Sequence, residues 1–322
     1  MSKVRFTRAF YLHVIRVHTV VMARVRKLLV CADGVTAVRV TRTVQELGLQ
    51  SVTATPLDVA ALVARAKEAG ADALHPGFGA LAQNVALARA CEAAGITFIG
   101  ASSSSLEAIA AAAATLDVSK LEAPHRVVFQ VFADAFGNVV HLNEREGGGA
   151  IFESPSPILT NEQRAEAGAK AVQLARDVKL VGAASVEFFV DGARHLHFSR
   201  MTAGVPAEHA VTEWVCGIDL VTWQVHVAQG GLLPLTQQLS TRGHSIAVMV
   251  SAAHAFAGPF TRDDGGKLSV WAPTRPEAVR KLRRALAEAA GSSDAAKLSA
   301  MLQHDTFMRG DADVAYFGAA TT

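Results

Sequence analysis

A chain of 322 residues is long enough for two or three domains around a sizeable core. Half of its residues are hydrophobic, 19% are charged and the formal net charge is +2, which gives no warrant for nucleic-acid binding. No apolar run reaches the roughly 18 residues of a membrane span, and Cys31, Cys91 and Cys216 stand apart from one another, as free thiols in a reducing compartment would.

The first 26 residues differ from the rest. Lys3, Arg5, Arg8, Arg16, Arg24 and Arg26 occur with no acid before Asp33, and Phe6, Phe10, Tyr11 and Val14 fall near helical spacing between them. That pattern fits a mitochondrial presequence or a basic surface extension. Next comes an apolar run over residues 26–32, closed by Asp33 and Gly34, then helical periodicity from Val35 to Leu47. A strand over 50–54, a helix over 59–69 and a strand over 72–75 follow, and such strand–helix alternation argues for a parallel sheet with helices on both faces. Glycines at 34, 77 and 79 read as tight turns that need positive φ.

Ser102 to Ser105 cap a helix predicted to run from Leu106 to Leu116 through five consecutive alanines. From Arg126 the pattern turns to strands: 127–132, a hairpin turn over Asp134 to Asn138, and a return over 139–143. Gly147 to Gly149 precede neither a lysine nor a helix, so they read as a shortened surface loop rather than a phosphate cradle. A helix is predicted over 161–177, with Ala165, Ala169, Val172 and Ala175 on one side, then a hairpin of 186–190 and 196–198 around Asp191 and Gly192. Pro276 to Glu288 read as a well-charged helix. His195 and His197 alternate along a strand, which suits surface histidines better than a metal site.

Residues 73–84 read ALHPGFGALAQN and resemble the HPGYGFLSEN signature of biotin carboxylases, the ATP-dependent parts of acyl-CoA carboxylases. The resemblance continues, in order, through residues 95–100, 136–146, 186–191, 208–213, 217–221 and 267–272, the last closest in look to the 3-methylcrotonyl-CoA carboxylase branch. It implies an α/β fold with a Rossmann-like pre-ATP-grasp domain over 27–117, an ATP-grasp core over 118–232 and a shortened C-terminal domain over 233–322, behind the 1–26 extension. The family places a whole mobile lid between two segments that residues 116–125 join directly, so the core is expected to be truncated and lidless. Kinship also favours the presequence reading and the mitochondrial matrix, with the cytoplasm as the other compartment.

An ATP-grasp ligase holds phosphates with lid amides and lysines, binds Mg²⁺ with two carboxylates, and keeps a base and a cation for the acceptor. By the resemblance, Glu187 sits at the first metal position and Arg200 replaces the second metal-binding glutamate. Thr202 replaces an asparagine, Gly204 the arginine of the bicarbonate and biotin site, and Pro206 a glutamine. Glu208 keeps the position of the bicarbonate-deprotonating base. Arg126 and Val128 stand where the family has a histidine and a glutamate at the nucleotide, and Lys120 is a weak match to a lysine beside the adenine. The expectation is a catalytically inactive homologue that has lost ATP, magnesium and biotin. It would act as a structural or regulatory subunit beside the biotin carboxylase, biotin carrier and carboxyltransferase subunits of 3-methylcrotonyl-CoA or propionyl-CoA carboxylase. The alternatives are a residual ATP-dependent ligase using Glu187, Glu208 and Lys120, or a nucleotide- or biotin-binding module.

Overall fold

The computed structural model describes residues 25–55, 58–113, 116–233, 241–250, 261–263, 266–288 and 293–319. The basic segment over 1–24 lies outside the described residues, as do Ala114 and Thr115 of the helix predicted over 106–116. Two sheets organise the described chain. The first is parallel, in the order β2-β1-β3-β4, from β1 (Lys27–Cys31), β2 (Gln50–Ala54), β3 (Ala73–His75) and β4 (Thr97–Phe98). Helices α1 (Gly34–Glu46), α2 (Val59–Glu68) and α3 (Val85–Ala94) connect these strands. Leu28 and Val30 pack with Val40 and Val44, while Leu29 and Cys31 pack with Leu62 and Leu87, so helices seal both faces.

The second sheet has eight strands in the order β11-β12-β10-β7-β6-β5-β8-β9. They are β5 (His125–Ala133), β6 (Val139–Gly148), β7 (Ile151–Ser154), β8 (Gly182–Val190), β9 (Leu196–Ala203), β10 (His244–Met249), β11 (Thr261–Asp263) and β12 (Lys267–Ala272), all paired antiparallel. One face carries Val127, Phe129, Val131 and Val186 against α5 (Asn161–Asp177), which begins at the Thr160–Gln163 capping box. The other face carries Phe132, Val140 and Leu142 at its apolar end, against α7 (Leu220–Ala228). The charged end of that second face is the site described below.

Three expectations need correction. Helix α4 (Ser103–Ala111) is capped by Ser102 and stops before the alanine run is spent, because its inward contacts are Leu106 and Ile109 and the alanines beyond offer little to bury. In α5 the buried stripe is Ala167, Gly168, Ala171, Val172 and Ala175, and Ala165 and Ala169 face outward. A helix rich in alanine has no single apolar face to read, and Gly168 fixes the choice: any Cβ there would run into the His141 ring. The glycines at 147–149 are not a surface loop. Gly147 and Gly148 extend β6 and pair with Phe152 and Ile151, and a side chain at Gly147 would strike the Ile151 carbonyl.

The HPGFG segment serves architecture. Gly77 has φ +73, its Cβ position lies 3.0 Å from the Ala32 methyl, and its N–H donates to His75 Nδ1 at 3.0 Å. Helix α6 (Ala210–Cys216) is tied to α1 by buried Arg39, which reaches Glu213 at 2.9 Å and Asp219 at 2.8 Å. Helices α8 (Arg275–Glu288), α9 (Ser293–Met301), α10 (Asp305–Arg309) and α11 (Val314–Gly318) complete the described chain, α8 packing Ala278, Val279 and Leu282 on Ile246, Leu268 and Val270.

Candidate functional site

Alternation along the strands decides which residues meet. On β5, Val127 and Phe129 enter the core under α5, so Arg126, Val128 and Gln130 emerge on the opposite face. Across β8, Val128 pairs with Glu187 and Gln130 with Ser185, while Glu187 pairs with Arg200 of edge strand β9 and Ser185 with Thr202. On β6, Arg145 pairs with Val128 and joins them, while its neighbours Glu144 and Glu146 point the other way. One face of four strands thus collects Arg126, Arg145, Arg200, Glu187 and, from the turn after β9, Glu208.

Glu187 is almost completely engaged. Arg126 Nε donates to its Oε2 at 2.6 Å, Arg200 Nη2 donates to Oε2 at 3.2 Å, and Arg200 Nε stands 3.1 Å from Oε1 as an ion-pair contact. Ser199 Oγ donates to Oε1 at 2.9 Å. A carboxylate offers about four acceptor positions; three hydrogen bonds and one ion-pair contact occupy most of this one. Burial on its own would raise the pKa of Glu187, but the two guanidiniums and the hydroxyl outweigh it and hold the carboxyl below its ordinary range.

Arg145 was legible in the sequence only as one letter of the run from Asn143 to Glu146. The structure makes it a centre. Its side chain is 1% exposed, its Nε lies 3.4 Å from Glu208 Oε1, and it donates to Ser185 Oγ at 3.1 Å and Gln130 Oε1 at 3.4 Å. Burial lowers its pKa from the usual arginine value, and Glu208 works against that. Glu208, which the sequence leaves without partners, therefore has one. The signal that could have found Arg145 is its place between two glutamates in a strand, where a single odd position must face away from its neighbours.

The remaining predicted positions fall as follows. Gly204 has φ +92, its N–H donates to Ala183 O at 2.7 Å, and a Cβ would come within 2.8 Å of the Ala82 methyl, so a side chain there is doubly disfavoured. Pro206 starts the short turn that carries Glu208, and its carbonyl accepts from the His209 ring at 2.8 Å. Lys120 is brought to no member of this group; it is 80% exposed and pairs with Asp117 at 3.3 Å. His197 and His195 both turn to Asp191, at 2.8 and 3.5 Å. Among the described residues no group of three or more His, Cys, Asp and Glu side chains is placed to hold a metal ion, and no helix is long and apolar enough to cross a membrane.

A mostly antiparallel sheet with a charged face, preceded by a small parallel α/β unit, defines the ATP-grasp class. The model of the carbamoyl-phosphate synthase L chain ATP-binding domain matches residues 43–236, more than half of the chain, and the protein belongs to the biotin carboxylase family of ATP-grasp proteins. A biotin carboxylase from Nostoc sp. is 34% identical over 209 residues, covering 53% of this chain and 47% of its own. The mitochondrial methylcrotonoyl-CoA carboxylase subunit alpha of Glycine max is 27% identical over 348 positions, covering 73% of this chain and 48% of that subunit. The chain thus spans about half the length of these relatives. The biotin carboxylase domain of a thermophilic 2-oxoglutarate carboxylase, solved with bicarbonate, superposes with a TM-score of 0.82 at 25% identity over 92% of this chain and 98% of that one.

Proposed function

We propose that the protein is a catalytically inactive biotin carboxylase homologue that serves as a structural or regulatory subunit of a biotin-dependent acyl-CoA carboxylase. The observation that carries this reading is the state of Glu187. Magnesium needs free carboxylate oxygens in near-octahedral array, and here both oxygens of the carboxylate that the resemblance puts at a metal position are engaged by Arg126, Arg200 and Ser199. Three arginines against two glutamates leave the site with a surplus of positive charge, which repels a dication. Were Mg-nucleotide to bind, Glu187 would be its one carboxylate, and only after releasing Arg126 and Arg200.

Two further observations support the loss of chemistry. The resemblance places a lid domain where residues 116–125 run, and about ten residues are too few to fold as a domain. The Glycine max alignment is longer than this whole chain yet engages 73% of it, so that subunit carries a sizeable block facing no residue here. Without lid donors, the charge of a transferring phosphoryl group goes uncompensated.

A fold kept without its chemistry keeps a surface. The partners we propose are the biotin carboxylase, biotin carrier and carboxyltransferase subunits of 3-methylcrotonyl-CoA carboxylase first, for the sake of residues 217–223 and 267–272, and of propionyl-CoA carboxylase second. The basic segment over 1–26 then directs the chain to the mitochondrial matrix. The test is affinity purification of the tagged full chain from mitochondria. A biotinylated carboxylase subunit should co-elute and stay in the same gel-filtration peak; a free monomer with no biotinylated protein enriched would defeat the subunit reading.

A further inference from the structure

Away from the Glu187 cluster, the end of β12 and the outer side of α8 enclose a shallow groove of about 470 Å³. Trp271 and Pro273 form one wall, and Glu277, Arg280, Lys281 and Arg284 form the other. Three cations therefore face one carboxylate. Arg280 and Arg284 lie one helical turn apart, a spacing at which like charges repel. Arg280 makes no ion pair among the described residues, and Arg284 makes only a long one, 3.8 Å to Glu288.

The opposite wall is fixed in advance. Trp271 Nε1 donates to Arg242 O at 2.7 Å, and its ring lies so close to Gly243 that a Cβ there would sit 2.7 Å from Cζ2. Lys281 Nζ crosses the groove floor to donate to Trp271 O at 3.1 Å. A rigid indole beside arginines is the composition that dominates binding energy at protein interfaces, and arginine clusters are a recurrent means of reading acidic motifs.

We propose that this groove docks an acidic segment of a partner polypeptide, with Asp or Glu side chains meeting Arg280 and Arg284 and an apolar residue lying on Trp271 and Pro273. The charge is local: a chain with a net charge of +2 lacks the broad basic field that a nucleic acid needs, whereas a short acidic stretch matches three cations. The groove shares no residue with the Glu187 cluster.

The test uses the full chain and a fluorescein-labelled peptide rich in Asp and Glu with one central Phe, read by anisotropy. A Lys-rich peptide of the same length and a single-stranded oligonucleotide serve as controls. The acidic peptide should bind saturably, weaken as salt rises, and lose at least ~10-fold in affinity with Arg280→Glu/Arg284→Glu. These positions are on the surface, and circular dichroism checks the fold; Arg280→Gln alone gives a smaller loss if the double variant misfolds. Absence of saturable binding would overturn the proposal, as would undiminished binding to the variants. Tighter binding of the oligonucleotide through the same arginines would also overturn it.

Discussion

The eight-stranded sheet carries a charged cluster on each face, built from the same residue types and put to different ends. On the face covered by α5 and α8, Glu153 accepts from Arg275 at 2.6 and 2.9 Å and from His244 at 2.7 Å, Glu146 meets His125 at 2.7 Å, and Glu144 meets Arg164 at 2.8 Å. All three carboxylates are at most 1% exposed. On the opposite face Glu187 meets Arg126 and Arg200, the latter 58% exposed. Burial would raise Glu153, but His244 and Arg275 outweigh it and its pKa falls; burial does raise Glu146, whose partners are a histidine and a hydroxyl. A carboxylate sealed beneath a helix needs a guanidinium to stay charged. Glu187 is itself only 6% exposed, and its cluster opens to solvent through Arg200 at the edge strand.

The sharpest way to break this comparison is to remove one partner on the sealed face. Arg275→Ala strands Glu153 in the interior and should cost about 3–5 kcal/mol in urea unfolding. A loss below about 1 kcal/mol would show that the sealed cluster is as dispensable as a surface pair.

A second test concerns sealing alone. His75 is fully buried, and burial drives its pKa down to about 4, with Arg39 adding to the fall and Gln224 opposing it. The unfolded chain binds that proton near pH 6.5 and the folded chain does not, so stability is complete above that value. It should decline by about 3 kcal/mol as pH falls toward 4. His75→Asn keeps an acceptor for the Gly77 amide without titrating, and should flatten this part of the pH–stability profile. An unchanged profile would assign the acid sensitivity elsewhere.

The open cluster should respond least. Arg200→Ala removes a partner that is 58% exposed from a Glu187 that is itself 6% exposed; because Arg126 and Ser199 still engage the carboxylate, the loss should be about 1 kcal/mol, well below that of Arg275→Ala. Arg200→Glu restores a carboxylate but no lid donors, and groups that act as a unit are not additive. It should produce no biotin-dependent ATP hydrolysis, and turnover from this single change would contradict the inactive reading.

Much of this fold could be read from the sequence where one physical signal dominates. Period-two runs gave β5 and β8, and helical periodicity over 161–177 gave α5 its bounds. Alternating strands and helices announced the parallel sheet. The reading failed where the signal is spread thin: in the alanines of α4 and α5, where a helix has no distinct face, and at Gly147 to Gly149, where strand pairing is decided by β7 and not locally. For the site, the sequence supplied Glu187, Arg200 and Glu208 by position. It could not supply Arg145, because a buried arginine is defined by what surrounds it, nor the crowding by Ala82 that leaves Gly204 no room for a side chain.

The Glu187 cluster is expected not to accept a magnesium-bound nucleotide. Titration calorimetry of Mg-ATP into the full chain tests it directly. With the Glu187 oxygens taken by Arg126, Arg200 and Ser199, no saturable heat is expected at physiological nucleotide concentration. A dissociation constant of about 10 μM, weakened when magnesium is withheld, would contradict the claim and restore the site as a working nucleotide pocket.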